Sequence, residues 1–255
     1  MKIISFKHNY HTHTIYCHHA VDTVEQMVKY AIKNHYLTLG FSEHAPLNVI
    51  RKRRLNWKDL DNYINEVNIA KIKYKKQIKI LCGLECEYDS SQYKYYKNLR
   101  NKVDYLISGN HNKGNPHLAN AWNSKNIDLD QYTKQTIDAC KCGLFSYIAH
   151  PDYIFKFYHA WDEDAINMTN DIVDASLKYD IPLGFNLNGL KNKQETKDYP
   201  NNYFWQVVGD TKCKVLIEAD AHDHRTLSKT VVNRGIRLIK KWGLTDNVIE
   251  NLKIR

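Results

Sequence analysis

Short, nearly continuous apolar runs alternate along the chain with longer amphipathic segments. Seven runs resemble buried strands: KIISFKHNYH, LTLGFSEH, IKILCGLECEY, VDYLISGNH, LFSYIAH, IPLGFNLN and CKVLIEADAH. The segment after the first run has apolar residues at the i, i+3, i+4, i+7 and i+8 spacing of one helical face, namely Val24, Met27, Val28, Ala31 and Ile32. Five later segments are predicted helices as well: DLDNYINEVNIAKIKYKK, YTKQTIDACKC, EDAINMTNDIVDASLKY, NYFWQVVGD and HRTLSKTVVNRGIRLIKKW. This alternation predicts parallel βαβ units in one α/β domain over residues 1–255.

Six of the seven predicted strands end in, or close to, a side chain that can bind a metal ion. These side chains are His11, His13, His44, Glu85, His111, His150, Asp220 and His222. A closed β/α barrel brings all carboxyl ends of its strands to one face, where its active sites lie. An open doubly wound sheet spreads those ends along a line. The pattern therefore favours a barrel with a metal site at the C-terminal strand ends.

Side chains alternate between the two faces of a strand, and this alternation separates ligand candidates from packing residues. His11 and His13 share one face, whereas Cys82 and Cys86 point away from the face of Glu85. The two cysteines are therefore predicted to pack in the core. The remaining His, Asp and Glu set is typical of a catalytic site for Zn, Mn or Fe.

Composition and charge narrow the class of protein. The chain has 255 residues, 43% of them hydrophobic, and contains no run of about 18 apolar residues that would predict a membrane span. Six scattered cysteines and a polar N-terminus predict reduced thiols and a cytoplasmic location. The net charge is +9, but the lysines are spread out and only 50–54 (IRKRR) is densely basic. We interpret this run as a solvated loop or as a phosphate-attracting loop, and the charge does not favour nucleic acid as a partner.

At this point the sequence resembles the polymerase and histidinol phosphatase (PHP) family. The motifs that carry the resemblance are HTH (His11, His13), HA (His19, Ala20), GFSEHAP (His44), GLE (Glu85), SGNH (His111), HPD (His150, Pro151, Asp152) and DAH (Asp220, Ala221, His222). They occur in the family's order and extend from about residue 8 to residue 224.

The resemblance implies a distorted (β/α)7 barrel, similar to a TIM barrel, that binds two or three divalent ions (Zn, Mn or Fe). By resemblance, the first ion is held by His11, His13, Glu85 and Asp220. The second is held by Glu85, His111 and His150, so that Glu85 bridges the two. The third is held by His19, His44 and His222.

Within the family, the chain most resembles the histidinol-phosphate phosphatases, which implies hydrolysis of L-histidinol phosphate to L-histidinol and phosphate in histidine biosynthesis. The implied mechanism is in-line attack by a metal-bridging hydroxide, with Glu85 bridging and Asp220 or His222 passing a proton to the leaving oxygen. Lys156 and Lys191 stand where that branch carries phosphate-binding arginines. They are therefore candidate substrate-binding residues, and Lys offers a point charge in place of a bidentate fork.

Several points stay open at the level of sequence. His117 is a further candidate for substrate contact, and Gly184 stands where the branch usually has Glu. Asp152 could orient His150 or be a turn residue, while Glu87 and Glu218 could orient ligands or pair with lysines. His8, His18 and Cys17 are interpreted as bystanders. The alternatives are a PHP phosphoesterase acting on a nucleotide, a nucleic-acid end or phosphotyrosine, or a non-catalytic metal-binding module.

Overall fold

The computed structural model describes residues 3–47, 53–111, 127–191 and 198–254. It contains one parallel sheet whose strands follow one another in chain order. The strands are β1 (His8–Asn9), β2 (Thr38–His44), β3 (Lys79–Cys86), β4 (Tyr105–Gly109), β5 (Ile148–Ala149), β6 (Leu183–Asn186), β7 (Val215–Glu218) and β8 (Val248–Ile249). All seven predicted strands are confirmed. The eighth has two residues, too few to stand out as an apolar run in the sequence.

Helices connect successive strands on the outside of the sheet. They are α1 (Val24–Lys33), α2 (Leu60–Tyr74), α3 (Tyr93–Arg100), α4 (Leu129–Lys141), α5 (Glu163–Tyr179), α6 (Asn202–Gly209) and α7 (Lys229–Lys241). The sequence predicted all except α3, which buries only Tyr96 and Leu99 and so lacks a clear apolar face. Asp128, Asp162 and Asn201 cap α4, α5 and α6 through their side chains, as expected for Asp and Asn at helix starts. In the described part of the chain, no helix is both long and apolar enough to traverse a bilayer.

The barrel closes between the segments that follow β1 and β7. Thr12 and Ala221 form a parallel bridge, in which the backbone N–H of His13 donates to the carbonyl of Ala221 at 2.8 Å. The N–H of Ala221 donates in turn to the carbonyl of His11 at 3.1 Å. Strand β8 pairs with the beginning of β7, where Val215 lies opposite Val248. The fold is thus the expected distorted β/α barrel, with a short eighth strand paired to the beginning of β7.

A tyrosine fills the barrel interior below the strand ends. Tyr105 is fully buried, and its hydroxyl lies within hydrogen-bond distance of two backbone carbonyls that share its single proton, those of Tyr10 at 2.7 Å and Phe41 at 2.9 Å. A Cβ atom at Gly40 would lie 2.4 Å from the Tyr105 hydroxyl, and one at Gly83 would lie 2.5 Å from its ring. Glycine at these two positions leaves the space that the ring occupies, so the barrel is a packed core with its site above it.

Candidate metal centre

The nine side chains predicted as metal ligands lie together at the carboxyl ends of the strands. The structure describes all nine: His11, His13, His19, His44, Glu85, His111, His150, Asp220 and His222. His11, His13, Glu85 and His150 are at most 1% exposed, whereas His19 and His222 lie toward the rim. Side chains that are far apart in the sequence, at the ends of successive strands, therefore form one compact cluster in three dimensions.

Four of these residues direct one atom each toward a common point. The atoms are His11 Nε2, His13 Nε2, Glu85 Oε2 and Asp220 Oδ1. The two histidine nitrogens are 3.0 Å apart, and the nitrogen–oxygen distances are 3.3, 3.4, 3.5 and 3.6 Å. Four ligands at about 2.0–2.1 Å from a tetrahedral zinc ion would lie about 3.3–3.4 Å from one another. The residues present therefore fit a divalent ion at this point.

Glu85 faces a second group with its other oxygen. Its Oε1 atom lies 2.9 Å from His150 Nε2 and 3.6 Å from His111 Nε2. Because Oε2 belongs to the first group and Oε1 to the second, one carboxylate lies between two potential ion positions. This is the placement of a bridging ligand.

The rim of the cluster carries three imidazoles that could hold a further ion. The ring of His19 lies 4.4 Å from that of His222 and 5.4 Å from that of His44, between centroids. The sulfur of Cys17 and one ring nitrogen each of His19 and His222 lie within 4.8 Å of one another. Cys17, interpreted from sequence as a bystander, is thus part of the wall of this group.

One buried ring nitrogen at the rim has no partner among the described residues. His222 Nδ1 lies 3.1 Å from the backbone carbonyl of Asp220, whereas Nε2 is buried without a hydrogen-bond partner. Leaving a buried polar atom unpaired costs about 1–3 kcal/mol. A ligand of Nε2 would remove this penalty, which agrees with a site built to bind an ion.

Charges in the cluster separate into a paired centre and a neutral rim. Burial opposes charge on His11 and His13, but the carboxylates of Glu85, Asp220 and their neighbours outweigh it. They raise the pKa of His11 well above its usual range and that of His13 to about 9. Burial also opposes charge on Glu85, yet the surrounding imidazoles hold its pKa well below its ordinary value. The centre is therefore anionic at its carboxylates and attracts cations.

At the rim, burial decides the protonation state. It lowers the pKa of His44 well below the usual value and that of His222 to about 3, despite the nearby carboxylates. Burial likewise lowers the pKa of His19. Neutral imidazoles are the form that binds metal ions.

Two of the cluster residues have unusual backbone conformations. His150 has φ of 33° and Asp220 has φ of 46°, both on the left-handed side that L-residues seldom adopt. His150 directly follows β5, and Asp220 lies between the end of β7 and the bridge at Ala221. Such strained residues concentrate at functional sites, and nothing in the sequence marks these two positions.

Carboxylates behind the cluster hold some of its imidazoles. Glu218 Oε2 lies 2.8 Å from His11 Nδ1, and Glu87 Oε1 lies 3.3 Å from His111 Nδ1. The sequence left two roles open for both glutamates, namely orienting a ligand or pairing with a lysine. Glu43, which we did not predict, lies 3.6 Å from His13 Nδ1 with Oε2 and accepts the Thr14 backbone N–H with Oε1. The signal in the sequence that could have indicated Glu43 is its position directly before His44.

The basic run at 50–54 is not simply a solvated loop where the structure describes it. Arg54 is 5% exposed and donates to the carbonyl of Ala45 at 2.9 Å. It also pairs with Glu87 at 3.0 Å. Because Glu87 contacts His111, Arg54 supports the cluster from outside and is not a free phosphate-attracting charge.

The candidate substrate-binding residues have different surroundings. Lys156 Nζ lies 4.2 Å from the ring centroid of Tyr153 and 4.4 Å from that of Tyr199. The Tyr153 ring packs in turn against His111 and His150, at centroid distances of 5.0 and 5.2 Å. Burial lowers the pKa of Lys156, although the charge of Asp220 opposes this shift.

Lys191 forms an ion pair with Asp223, which also binds Arg225. His117, the third candidate for substrate contact, lies outside the described residues.

Asp152 lies in the turn after Pro151, and its side chain makes no hydrogen bond to His150. It is fully buried and accepts two hydrogen bonds at 2.8 Å, from the backbone N–H of Asn201 and from Trp205 Nε1. These bonds hold the segment that carries Tyr199 above Lys156. Burial raises the pKa of Asp152 to about 6.

Comparisons with known proteins agree with this geometry. The chain is 23% identical over 250 residues to the histidinol-phosphatase of Bacillus subtilis (strain 168), covering 85% of this chain and 93% of that protein. The structure of a hisK protein from Listeria monocytogenes matches with a TM-score of 0.74 at 21% identity, covering 89% of this chain and 99% of that one. Histidinol phosphate phosphatase (HISK) from Lactococcus lactis subsp. lactis Il1403, complexed with zinc, L-histidinol and phosphate, matches with a TM-score of 0.71 at 18% identity, covering 94% and 95%.

The family assignment covers most of the barrel. The sequence model of the PHP domain matches residues 9–186, which include seven of the nine clustered side chains. Asp220 and His222 lie beyond this match, yet the bridge between Thr12 and Ala221 brings them to the same cluster. The motifs, the barrel and the matched range thus agree, and the chain belongs to the PHP domain family.

Proposed function

We propose that the protein is a metal-dependent phosphoric monoester hydrolase that converts L-histidinol phosphate to L-histidinol and phosphate. The observation that carries the proposal is the position of Glu85, with one oxygen in each of two ligand groups at the carboxyl ends of the strands. The substrate is suggested by the similarity to proteins named histidinol-phosphatase, one of them complexed with L-histidinol and phosphate.

We assign the nine residues to up to three divalent ions, of which Zn, Mn and Fe all suit these donors. His11, His13, Glu85 and Asp220 would hold the first. Glu85, His111 and His150 would hold the second, and His19, His44 and His222 would hold the third. Such ions supply Lewis-acid chemistry, because they lower the pKa of water and polarise phosphoryl oxygens.

Asp220 and His222 differ in what they can do with a proton. Asp220 Oδ2 accepts the side-chain amides of Asn186 at 3.0 Å and Asn188 at 3.2 Å. Burial opposes its ionisation, but nearby histidines hold its pKa well below the ordinary value. Asp220 therefore stays anionic and acts as a ligand. His222 Nδ1 faces the backbone carbonyl of Asp220, and burial keeps the ring neutral, so Nε2 offers a lone pair that can accept a proton or bind an ion but holds no proton to give to the leaving oxygen.

The protein's own cations would bind the phosphate group. Lys156 is our main candidate, because the rings of Tyr153 and Tyr199 fix its ammonium group beside the second ligand group. Lys191 is the second, and phosphate would have to compete with Asp223 for it. His117 completes the set of proposed substrate-binding residues.

Metal analysis combined with a phosphoester panel tests this proposal. We expect two or three divalent ions per chain, and histidinol phosphate turned over faster than p-nitrophenyl phosphate, nucleotides, phosphotyrosine or DNA ends. Equal and slow turnover of all substrates would indicate a general phosphoesterase. Full metal content without any hydrolysis would indicate a non-catalytic module. The variants H19N and H18N form a matched pair, since His18 lies next to His19 but is exposed and bonds the Asn56 side chain at 2.8 Å.

We further propose that residues 1–255 form a single PHP-type domain that acts in the cytoplasm on a small phosphorylated substrate. Strands β1 to β8 belong to one sheet, which supports the single domain. Cys82, Cys86 and Cys213 are buried and form no disulfide, which is compatible with a reducing compartment.

A further inference from the structure

Glu218 connects two separate parts of the ligand cluster. It lies at the end of β7 and is fully buried. Its Oε2 atom is 2.8 Å from His11 Nδ1, and its Oε1 atom accepts the backbone N–H of His150 at 2.8 Å. One carboxylate thus contacts a residue of the first ligand group and a residue of the second.

The contact with His11 sets the tautomer of the ring. When His11 Nδ1–H donates to Glu218, the lone pair of Nε2 is free to bind an ion. That nitrogen is 3.0 Å from His13 Nε2, at the point where the first group converges. A carboxylate behind a ligating histidine fixes the orientation of the ring and raises its basicity.

The contact with His150 has a different consequence. His150 has a positive φ of 33°, so its backbone is held in a conformation that is costly for an L-residue. The hydrogen bond from its N–H to Glu218 stabilises this conformation and with it the position of the ring beside Glu85.

Glu218 occupies its position because the neighbouring strand leaves room. Gly184 lies on β6, and a Cβ atom built there would be 2.7 Å from both Glu218 Cδ and Oε1. A side chain at position 184 and the carboxylate of Glu218 therefore exclude one another. The side chain of a glutamate at position 184 would start in the space that the Glu218 carboxylate fills. This overlap gives a structural reason for glycine at 184, where the family branch usually has glutamate.

We propose that Glu218 is a positioning residue of this site, and that its carboxylate and a carboxylate from position 184 are interchangeable. Glu218 would act through His11 and His150, because its two oxygens face these residues. The inference rests on the proposed function, because it requires that His11 bind an ion.

Zinc affinity and kinetics measured on four variants test the proposal. We expect E218G to bind the first zinc ion about 10- to 100-fold more weakly, the usual effect of losing an outer partner of a ligand. Its kcat should fall while its KM changes little. G184E should be impaired by overcrowding, and G184E/E218G should bind zinc more tightly than E218G. The exposed E250A serves as the control and should match the wild type.

The failure of this inference is distinct from failure of the proposed function. A wild-type protein without zinc binding or phosphatase activity would refute the proposed function. A normal wild type combined with unchanged zinc affinity in E218G would overturn the role of Glu218. A folded G184E/E218G variant that binds zinc no better than E218G would overturn the interchange.

A measurement on the wild type covers the case in which the double variant does not fold. Nitrogen-15 NMR of the zinc-loaded protein should show His11 protonated at Nδ1 and zinc-bound at Nε2. Zinc at Nδ1, or a deprotonated Nδ1, would contradict the positioning role.

Discussion

His11 Nε2 and His13 Nε2 lie 3.0 Å apart in a fully buried site. The two residues flank Thr12, which forms an isolated bridge with Ala221 just beyond the end of β1, and side-chain alternation along this segment directs both rings to the same side. Glu85 Oε2 and Asp220 Oδ1 surround the same point at 3.3–3.6 Å from these nitrogens. A shared cation explains the convergence of two imidazoles and two carboxylates, since it compensates the buried negative charge.

Replacing the bridging carboxylate should disrupt two ion sites at once. We expect E85Q to lose ions from the first and second groups. Its kcat/KM should fall by more than about 100-fold, because the loss of a residue that only supports a ligand already costs about 10- to 100-fold. The amide keeps the shape of the side chain but lacks its charge. Elemental analysis and steady-state kinetics measure both effects, with the exposed E163Q as control. Wild-type metal content and activity in E85Q would refute the bridging role.

Metal binding should depend on pH in a defined direction. In the ion-free protein the pKa of His13 is raised to about 9, so this ring is protonated at pH 7. Since an ion can bind only the deprotonated nitrogen, binding at pH 7 should release at least one proton, and affinity should rise between pH 7 and 9. Calorimetry in buffers of different ionisation enthalpy counts the protons. An affinity independent of pH over this range would contradict the prediction.

Lys156 should contribute to phosphate binding through its charge. We expect K156M to lower kcat/KM for histidinol phosphate about 10- to 100-fold, the effect of losing a charged hydrogen bond. K156R should retain more activity because it keeps the charge. K178M is a matched control, since Lys178 Nζ lies 5.5 Å from the Tyr179 ring centroid on α5, outside the cluster. Equal kinetics in K156M and the wild type would exclude Lys156 from substrate binding.

Asp152 should contribute mainly to stability. D152A would leave two buried donors, the Asn201 backbone N–H and Trp205 Nε1, without their acceptor. Each unpaired donor costs about 1–3 kcal/mol, so we expect the free energy of unfolding to fall by about 2–6 kcal/mol. Denaturant titration measures the change, with the exposed D171A as control. A loss below about 0.5 kcal/mol, the usual range for surface changes, would show that these bonds matter little.

The sequence by itself determined the barrel and the grouping of the candidate ligands at one face. Strands buried on both faces require continuous apolar runs, and helices that cover a sheet require an amphipathic period, so both can be read along the chain. His and carboxylate residues at successive strand ends then imply convergence, because parallel strands all end at one face. Helix α3 and strand β8 escaped prediction because each has too few buried residues to form a pattern.

Only the tertiary structure decided how the cluster is supported. The contact of Glu218 with His11 joins residues 207 positions apart, and its carboxylate lies in the space above Gly184. The positive φ of Asp220, the burial of Arg54 and the position of Cys17 at the rim likewise depend on neighbours distant in the chain. Periodicity indicates on which face of its strand or helix a residue lies. Its contacts on that face depend on strand register and barrel closure, which involve pairs of distant segments.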